Sequence, residues 1–178
     1  NSKSMGIKLQ HGSSNTTIQT KIRIDHNRFI NGCCTPNGAT GQAMWVVVMR
    51  GVVDHNTFDG MAYPIRMPIP GPAWGDIWWN NWERVAYGHT DNNMYFEDNT
   101  FNNISDMVVD CQYGNRYAFR YNTINVTGTN GLWPAFDMHG NDTLGYSCFG
   151  GEIYGNQFND SGNVGGRFLD HRGGTTVA

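Results

Sequence analysis

Asp54-His55-Asn56-Thr57-Phe58 is the stretch that decides the fold, because the chain contains five versions of it. In each version an Asn is followed two residues later by a large apolar side chain. The other versions are 25–29 (DHNRF), 97–101 (EDNTF), 120–124 (RYNTI) and 154–158 (YGNQF). A further apolar residue stands three positions before each Asn, namely Ile24, Val53, Phe96, Phe119 and Ile153. This alternation predicts a half-buried strand that runs into a turn and out into a second strand.

The spacing of the repeated Asn indicates a solenoid. The five residues are Asn27, Asn56, Asn99, Asn122 and Asn156, so the intervals are 29, 43, 23 and 34 residues. A β-solenoid accommodates such variation because insertions become loops while the strands keep stacking. The shortest interval predicts one bare coil. The interval of 43 predicts either one coil with a long loop or two coils, one of which lacks the Asn.

A column of inward Asn side chains has a physical reason in such a fold. Stacked strands lie about 4.8 Å apart, so an amide can donate to the coil on one side and accept from the coil on the other. Asn also tolerates the left-handed turn conformation. The alternative is that these Asn merely mark surface turns; five in the same apolar frame favour the column.

The runs 88–101, 116–124, 137–140, 151–158 and 172–174 carry a wider resemblance. Residues 22–174 resemble the right-handed parallel β-helix proteins and, more closely, a secreted bacterial subset of the pectate-lyase-like superfold that mostly has no assigned activity. The resemblance implies an all-β, single-stranded, right-handed parallel β-helix. It also implies a secreted or cell-surface location.

Length and charge narrow the class of protein. The 178 residues correspond to one domain, and a net charge of −3 argues against a nucleic-acid partner. No apolar run approaches a membrane span, and no signal peptide opens the chain. No cap is recognisable at either end, although solenoids need polar caps. We therefore expect residues 1–178 to be a single β-helix domain, either complete or an excerpt of a longer chain.

Residues 61–87 interrupt the pattern. Four prolines here forbid a central strand and predict a loop or lobe that projects from the helix. The lobe contains Trp74, Trp78, Trp79 and Trp82. These indoles form either a sugar-stacking platform or a small satellite core over the flank, since four exposed tryptophans would lower solubility.

Two outward columns are expected on the strand that enters each Asn. Position −2 reads Asp25, Asp54, Glu97, Arg120 and Tyr154, and position −4 reads Arg23, Val52, Tyr95, Ala118 and Glu152. Stacked carboxylates repel unless a cation or an arginine intervenes. The columns therefore predict a sugar-binding or cation-bridged face, with Ca²⁺ as the cation, or a salt-bridge ladder in which Arg23 and Arg120 neutralise the acids. The sequence indicates no other cofactor.

A second polar cluster comprises Asp110, Asp137, His139, Asp170, His171 and Arg172. Asp137 and His139 alternate, so both face the same way from one strand, and Asp170 and Arg172 do likewise one or two coils later. A carboxylate, an imidazole and a guanidinium on one face are suited to acid–base chemistry on a polysaccharide. The catalytic motifs of polygalacturonases and common lyases are absent from the sequence. The alternative is a structural network.

Four cysteines and two histidines are the remaining candidates for disulfide bonds and for a metal site. Cys111 and Cys148 are the favoured disulfide pair, with a free buried thiol as the alternative. Cys33 and Cys34 lie in a loop and are expected to reach different partners. His26 and His55 occupy the same repeat position and are expected to pack in the turn, while a metal site formed with Asp25 and Asp54 would need a specific geometry.

Two classes of function remain open. The first is a non-catalytic surface or fibre module that contacts glycans or neighbouring subunits and can stack on other copies through strand edges. The second is a polysaccharide lyase or hydrolase that uses Asp137, His139, Asp170 and Arg172. The missing catalytic motifs favour the module.

Overall fold

The computed structural model describes residues 6–10, 19–31, 41–47, 49–68, 93–112, 115–126, 134–140, 148, 150–160 and 168–172. These residues form sixteen β-strands in three parallel sheets and no helix. The absence of a helix also means that no described segment could cross a membrane as an apolar helix.

The strands enter the three sheets in strict rotation. Sheet 1 contains β1 (Ile7–Gln10), β4 (Gln42–Val47), β7 (Tyr63–Met67), β10 (Val109–Gln112), β13 (Phe136–His139) and β16 (Leu169–Arg172). Sheet 2 contains β2 (Gln19–Asp25), β5 (Met49–Asp54), β8 (Met94–Glu97), β11 (Arg116–Arg120) and β14 (Gly150–Tyr154). Sheet 3 contains β3 (Arg28–Ile30), β6 (Thr57–Asp59), β9 (Thr100–Asn102), β12 (Thr123–Val126) and β15 (Gln157–Asp160). The described chain thus makes five coils and the first strand of a sixth, which confirms a parallel solenoid.

The repeat places equivalent side chains in register. The residues three positions before each Asn align across sheet 2, and those two positions after it align across sheet 3. Both rows face the core, where Phe29, Phe58 and Phe101 stack with ring centroids 4.9 and 4.8 Å apart. Burying one such ring contributes roughly 1.5–3 kcal/mol. Burial of these two rows of apolar side chains therefore stabilises the register between successive coils.

The five repeated Asn side chains are hydrogen-bonded from coil to coil. Nδ2 of Asn27 donates to Oδ1 of Asn56 (3.1 Å) and Nδ2 of Asn56 donates to Oδ1 of Asn99 (3.0 Å). The same bond joins Asn99 to Asn122 (3.0 Å) and Asn122 to Asn156 (3.1 Å). Each accepting oxygen also receives a backbone N–H from the preceding coil. Buried amides that would otherwise be unpaired are satisfied in this way.

The left-handed residue at this corner is the one before the Asn, not the Asn itself, which corrects the expectation from sequence. His26, His55, Asp98, Tyr121 and Gly155 have φ between 54° and 65°. This conformation turns the chain between sheets 2 and 3 and leaves the next residue, the Asn, pointing inward. The corner therefore needs a residue that tolerates positive φ immediately before the repeated Asn.

The interval of 43 residues is a single coil, because β5 pairs directly with β8. The predicted loop at 61–87 begins too early, however, since Tyr63–Met67 form β7, a central strand of sheet 1. Pro64 is part of this strand; the amide before it donates to Gly41 O and the amide after it donates to Val108 O, in the coils on either side. The four lobe tryptophans lie outside the described residues.

Cys111 and Cys148 form the predicted disulfide, with Cα atoms 5.4 Å apart. The bond ties β10 to the segment that precedes β14, and both sulfurs are buried in the core. Cys33 and Cys34 lie outside the described residues.

Candidate functional sites on the solenoid wall

The predicted polar cluster assembles on the outer face of sheet 1. Asp110, Asp137 and Asp170 occupy one register column, and Gln112, His139 and Arg172 occupy the column beside it. The two pairs that were predicted to share a face, Asp137 with His139 and Asp170 with Arg172, therefore lie one coil apart. His171 is not part of the cluster, because its register position is that of Met138, whose side chain packs on the core side of the sheet.

His139 lies between two carboxylates. Its Nδ1 donates to the carbonyl oxygen of Gly140 (3.0 Å), since a carbonyl can only accept. Its Nε2 is 3.0 Å from Oδ1 of Asp110 and 3.8 Å from Oδ2 of Asp137. The hydrogen bond with Asp110 raises the pKa of His139, although partial burial lowers it. The raised pKa favours the protonated form of the ring, whose Nε2 also lies 3.1 Å from Nε2 of Gln112.

Asp137 is completely buried and Arg172 neutralises it. Two hydrogen bonds join them, from Nη2 to Oδ2 (2.6 Å) and from Nε to Oδ1 (3.2 Å). Arg172 keeps 56 % of its side chain exposed and also lies 3.9 Å from Asp170. The hydrogen bonds with Asp137 raise the pKa of Arg172, so the guanidinium is a permanent counter-ion for a carboxylate without access to water.

Arg66, Tyr63 and Asp106 adjoin this cluster and were not anticipated from sequence. Nε of Arg66 lies 2.9 Å from Oδ2 of Asp110, and its guanidinium carbon is 5.7 Å from the ring centroid of Trp45. Beside it, Tyr63 donates to Asp106 at 2.6 Å. Burial raises the pKa of Asp106, although the hydrogen bond from Tyr63 lowers it. Arg66 and Tyr63 belong to β7, in the segment whose prolines had suggested a loop, so no sequence signal pointed to them.

The cluster is closed, because each of its carboxylates already lies beside a basic side chain. Asp110 contacts Arg66 and His139, and Arg172 contacts Asp137 and Asp170. Asp110 is 4 % exposed, and Gln112 donates to both of its oxygens (3.0 and 3.1 Å). The imidazole fills the space between the carboxylates of Asp110 and Asp137.

The two outward columns of sheet 2 have the predicted register. Arg23 forms two hydrogen bonds with Asp54 (2.7 and 3.1 Å), and Nε of Arg120 donates to Glu97 (2.6 Å). The hydrogen bond from Arg23 lowers the pKa of Asp54. The predicted neutralisation of this stripe by arginine is therefore confirmed.

Three tyrosines surround Arg120 on the same wall, and we call this group the tyrosine patch (Tyr95, Arg120, Tyr121, Tyr154). The guanidinium carbon of Arg120 lies 4.6 Å from the ring centroid of Tyr95 and 5.8 Å from that of Tyr121. Nη1 of Arg120 donates to the hydroxyl of Tyr154 (2.9 Å), whose ring meets Tyr121 edge-on. Tyr121 is 54 % exposed. The patch presents aromatic surface around a charge that Glu97 neutralises.

His26 and His55 stack as predicted, with ring centroids 5.0 Å apart and planes 5° apart. Nδ1 of each ring contacts the aspartate that precedes it, Asp25 at 3.2 Å and Asp54 at 2.9 Å. Within the described residues, no group of three or more His, Cys, Asp or Glu side chains is arranged to hold a metal ion.

Comparison with known proteins finds no match to this chain among family models, curated proteins or solved structures. The three parallel sheets are compatible with a parallel β-helix.

Proposed function

We propose that this chain is a non-catalytic module of an extracellular, right-handed parallel β-helix that contacts glycans or neighbouring subunits. The right hand follows from the general rule for crossovers between parallel strands of one sheet. The walls and the tryptophan-rich lobe (Trp74, Trp78, Trp79, Trp82) would provide the contact surfaces.

One observation supports the non-catalytic interpretation most strongly, namely the closure of the polar cluster. A catalytic carboxylate has to come within hydrogen-bond distance of a substrate atom. Asp137 has no exposed surface, and both its oxygens are bonded to Arg172. A network in which each acid already has its cation is typical of a structural role.

The tyrosine patch supports glycan contact. A tyrosine ring offers an apolar face to the C–H groups of a sugar and a hydroxyl to its polar rim. Arg120 is paired with Glu97, so the patch carries no uncompensated charge. We therefore propose neutral sugars, rather than uronates, as the ligands of this wall.

Burial against a further surface, either another coil of a longer chain or a neighbouring subunit, is supported at the last described strand. Phe168 and Leu169 are 50 % and 47 % exposed, and Phe168 packs on Phe136 and Phe158 at centroid distances of 5.3 and 4.8 Å. Adjacent exposed apolar side chains of this kind favour burial against another surface.

Affinity electrophoresis in gels that contain xylan, dextran or polygalacturonate tests the proposal. We expect retardation by a neutral polysaccharide, and a loss of that retardation in Tyr121→Ala or in a Trp78→Ala/Trp79→Ala double variant. Tyr63→Phe, on a different wall, is the matched control and should be retarded like the parent. Equal mobility with and without every polysaccharide would reject glycan contact.

A second function, polysaccharide cleavage by a lyase or hydrolase, is favoured by His139 alone. This side chain is 20 % exposed and is held as a proton donor between Asp110 and Asp137, which suits a general acid. The same polysaccharides should be assayed for new double bonds and reducing ends. Turnover by the parent that disappears in His139→Ala would reject the non-catalytic proposal and show that the chain is an enzyme.

A further inference from the structure

The stacked histidines at the corner between sheets 2 and 3 have a geometry that the proposed function does not use. His26 and His55 share the same backbone conformation, with φ of 56° and 55°. They also share the same side-chain contact, from Nδ1 to the carboxylate of the preceding aspartate. Two side chains with the same backbone, the same contact and parallel rings point the same way, so their Nε2 atoms lie side by side.

The nitrogen that faces outward is the one suited to a metal. A carboxylate that accepts from Nδ1–H fixes the tautomer with the lone pair on Nε2 and makes that nitrogen a better ligand. The side chains are 69 % and 50 % exposed, so a cation can reach both rings. Asp25 and Asp54 supply two negative charges beside the rings, and Arg23 lies close to both carboxylates.

From this geometry we propose that His26 and His55 form a surface site for a divalent transition-metal ion, with Nε2 of each ring as a ligand and water in the remaining positions. At a tetrahedral angle, two metal–nitrogen bonds of about 2.0–2.1 Å place the nitrogens about 3.4 Å apart. The centroids are 5.0 Å apart and the planes are nearly parallel, so both rings have to rotate and lean until their Nε2 lone pairs converge on the ion. The soft terminal torsion of histidine allows this.

Imidazole ligands determine which ions the site accepts. Affinity should follow Cu²⁺ above Zn²⁺, whereas Ca²⁺ and Mg²⁺, which prefer oxygen ligands, should not compete. Binding should weaken in acid because protons compete for the imidazole nitrogens.

Isothermal titration of the intact chain with CuCl₂ and with ZnCl₂ tests the site. Asn is the replacement of choice because it tolerates the positive φ of this corner. We expect His26→Asn and His55→Asn each to weaken the tightest binding event at least about tenfold, and Asp25→Asn to weaken it by about tenfold through the lost second-shell contact. Far-UV circular dichroism reports whether each variant is folded.

His171→Asn provides the control, because His171 is also exposed but lies on β16, away from the pair. Its titration should match that of the parent. Unchanged Cu²⁺ binding in folded His26→Asn and His55→Asn, equal loss in His171→Asn, or displacement of Zn²⁺ by millimolar-range CaCl₂ would each overturn the proposal.

Discussion

The buried carboxylate of Asp137 accepts two hydrogen bonds from the guanidinium of Arg172, which lies one coil further along the solenoid. The pair joins β13 to β16 across the outer face of sheet 1. Asp137 is fully buried and Arg172 is half exposed. Replacing the acid and replacing the base should therefore lower the free energy of unfolding by different amounts.

Arg172→Met should destabilise the fold by about 2–3 kcal/mol, because it leaves a buried charge without its main counter-ion. In the double variant Asp137→Asn/Arg172→Met that charge is gone, so the double variant should be more stable than Arg172→Met alone. Urea unfolding of the parent, both single variants and the double variant measures the coupling. Additive losses would show that the two side chains act independently.

The stability of the protein should depend on pH through His139. The pKa of this residue is raised in the folded state, so its contribution is fully present below the unfolded value of about 6.5 and is lost as pH rises through the folded value. The difference in unfolding free energy between the parent and His139→Gln should therefore be largest below about pH 6.5 and shrink as the pH is raised above it into the alkaline range. A constant difference over that range would mean that the imidazole carries no linked proton.

Asn99→Ala should cost about 3 kcal/mol or more. Oδ1 of Asn99 accepts from N and Nδ2 of Asn56, and its Nδ2 donates to Val53 O and to Asn122. Removal leaves several buried polar groups unpaired, at about 1–3 kcal/mol each. Asn27→Ala is the matched control at the exposed end of the same column and should cost less than half as much in urea unfolding. Equal costs would indicate that burial of the column is irrelevant.

Gly51→Ala should destabilise the fold by at least about 2 kcal/mol through overpacking. Gly51 has φ +156°, and a Cβ there would lie 2.1 Å from the carbonyl oxygen of Ile22, where the register between β2 and β5 shifts. Gly150→Ala, on β14 of the same sheet, meets no atom within 4 Å and should change stability by less than about 0.5 kcal/mol. Thermal unfolding of both variants checks the contrast.

The sequence was informative wherever one repeat position served one structural purpose. Phe58 and Phe101 appear in the same frame of their repeats and stack in the structure. Arg120 lies beside Glu97 because both stand two positions before an Asn. Regular alternation on a strand determines which face a side chain occupies, so the register of sheets 2 and 3 could be predicted.

Prediction failed where neighbours come from segments without the repeat. Arg66 and Tyr63 lie within a stretch whose prolines argued against a strand, although Pro64 between them is part of β7. His171 was grouped with Arg172 because they are adjacent in sequence, although adjacent residues of a strand face opposite sides. The left-handed corner residue was missed because its identity changes in each coil except the first two.

The pairing of β5 with β8 across an interval of 43 residues has the same register as the pairing of β8 with β11 across 23. The same register therefore holds whether 26 residues (68–93) or three residues (113–115) separate the strand of sheet 1 from the next strand of sheet 2. The connection between β7 and β8 is for this reason a natural acceptor for grafted peptides or whole folded inserts, and diversification there would proceed without re-evolving the scaffold.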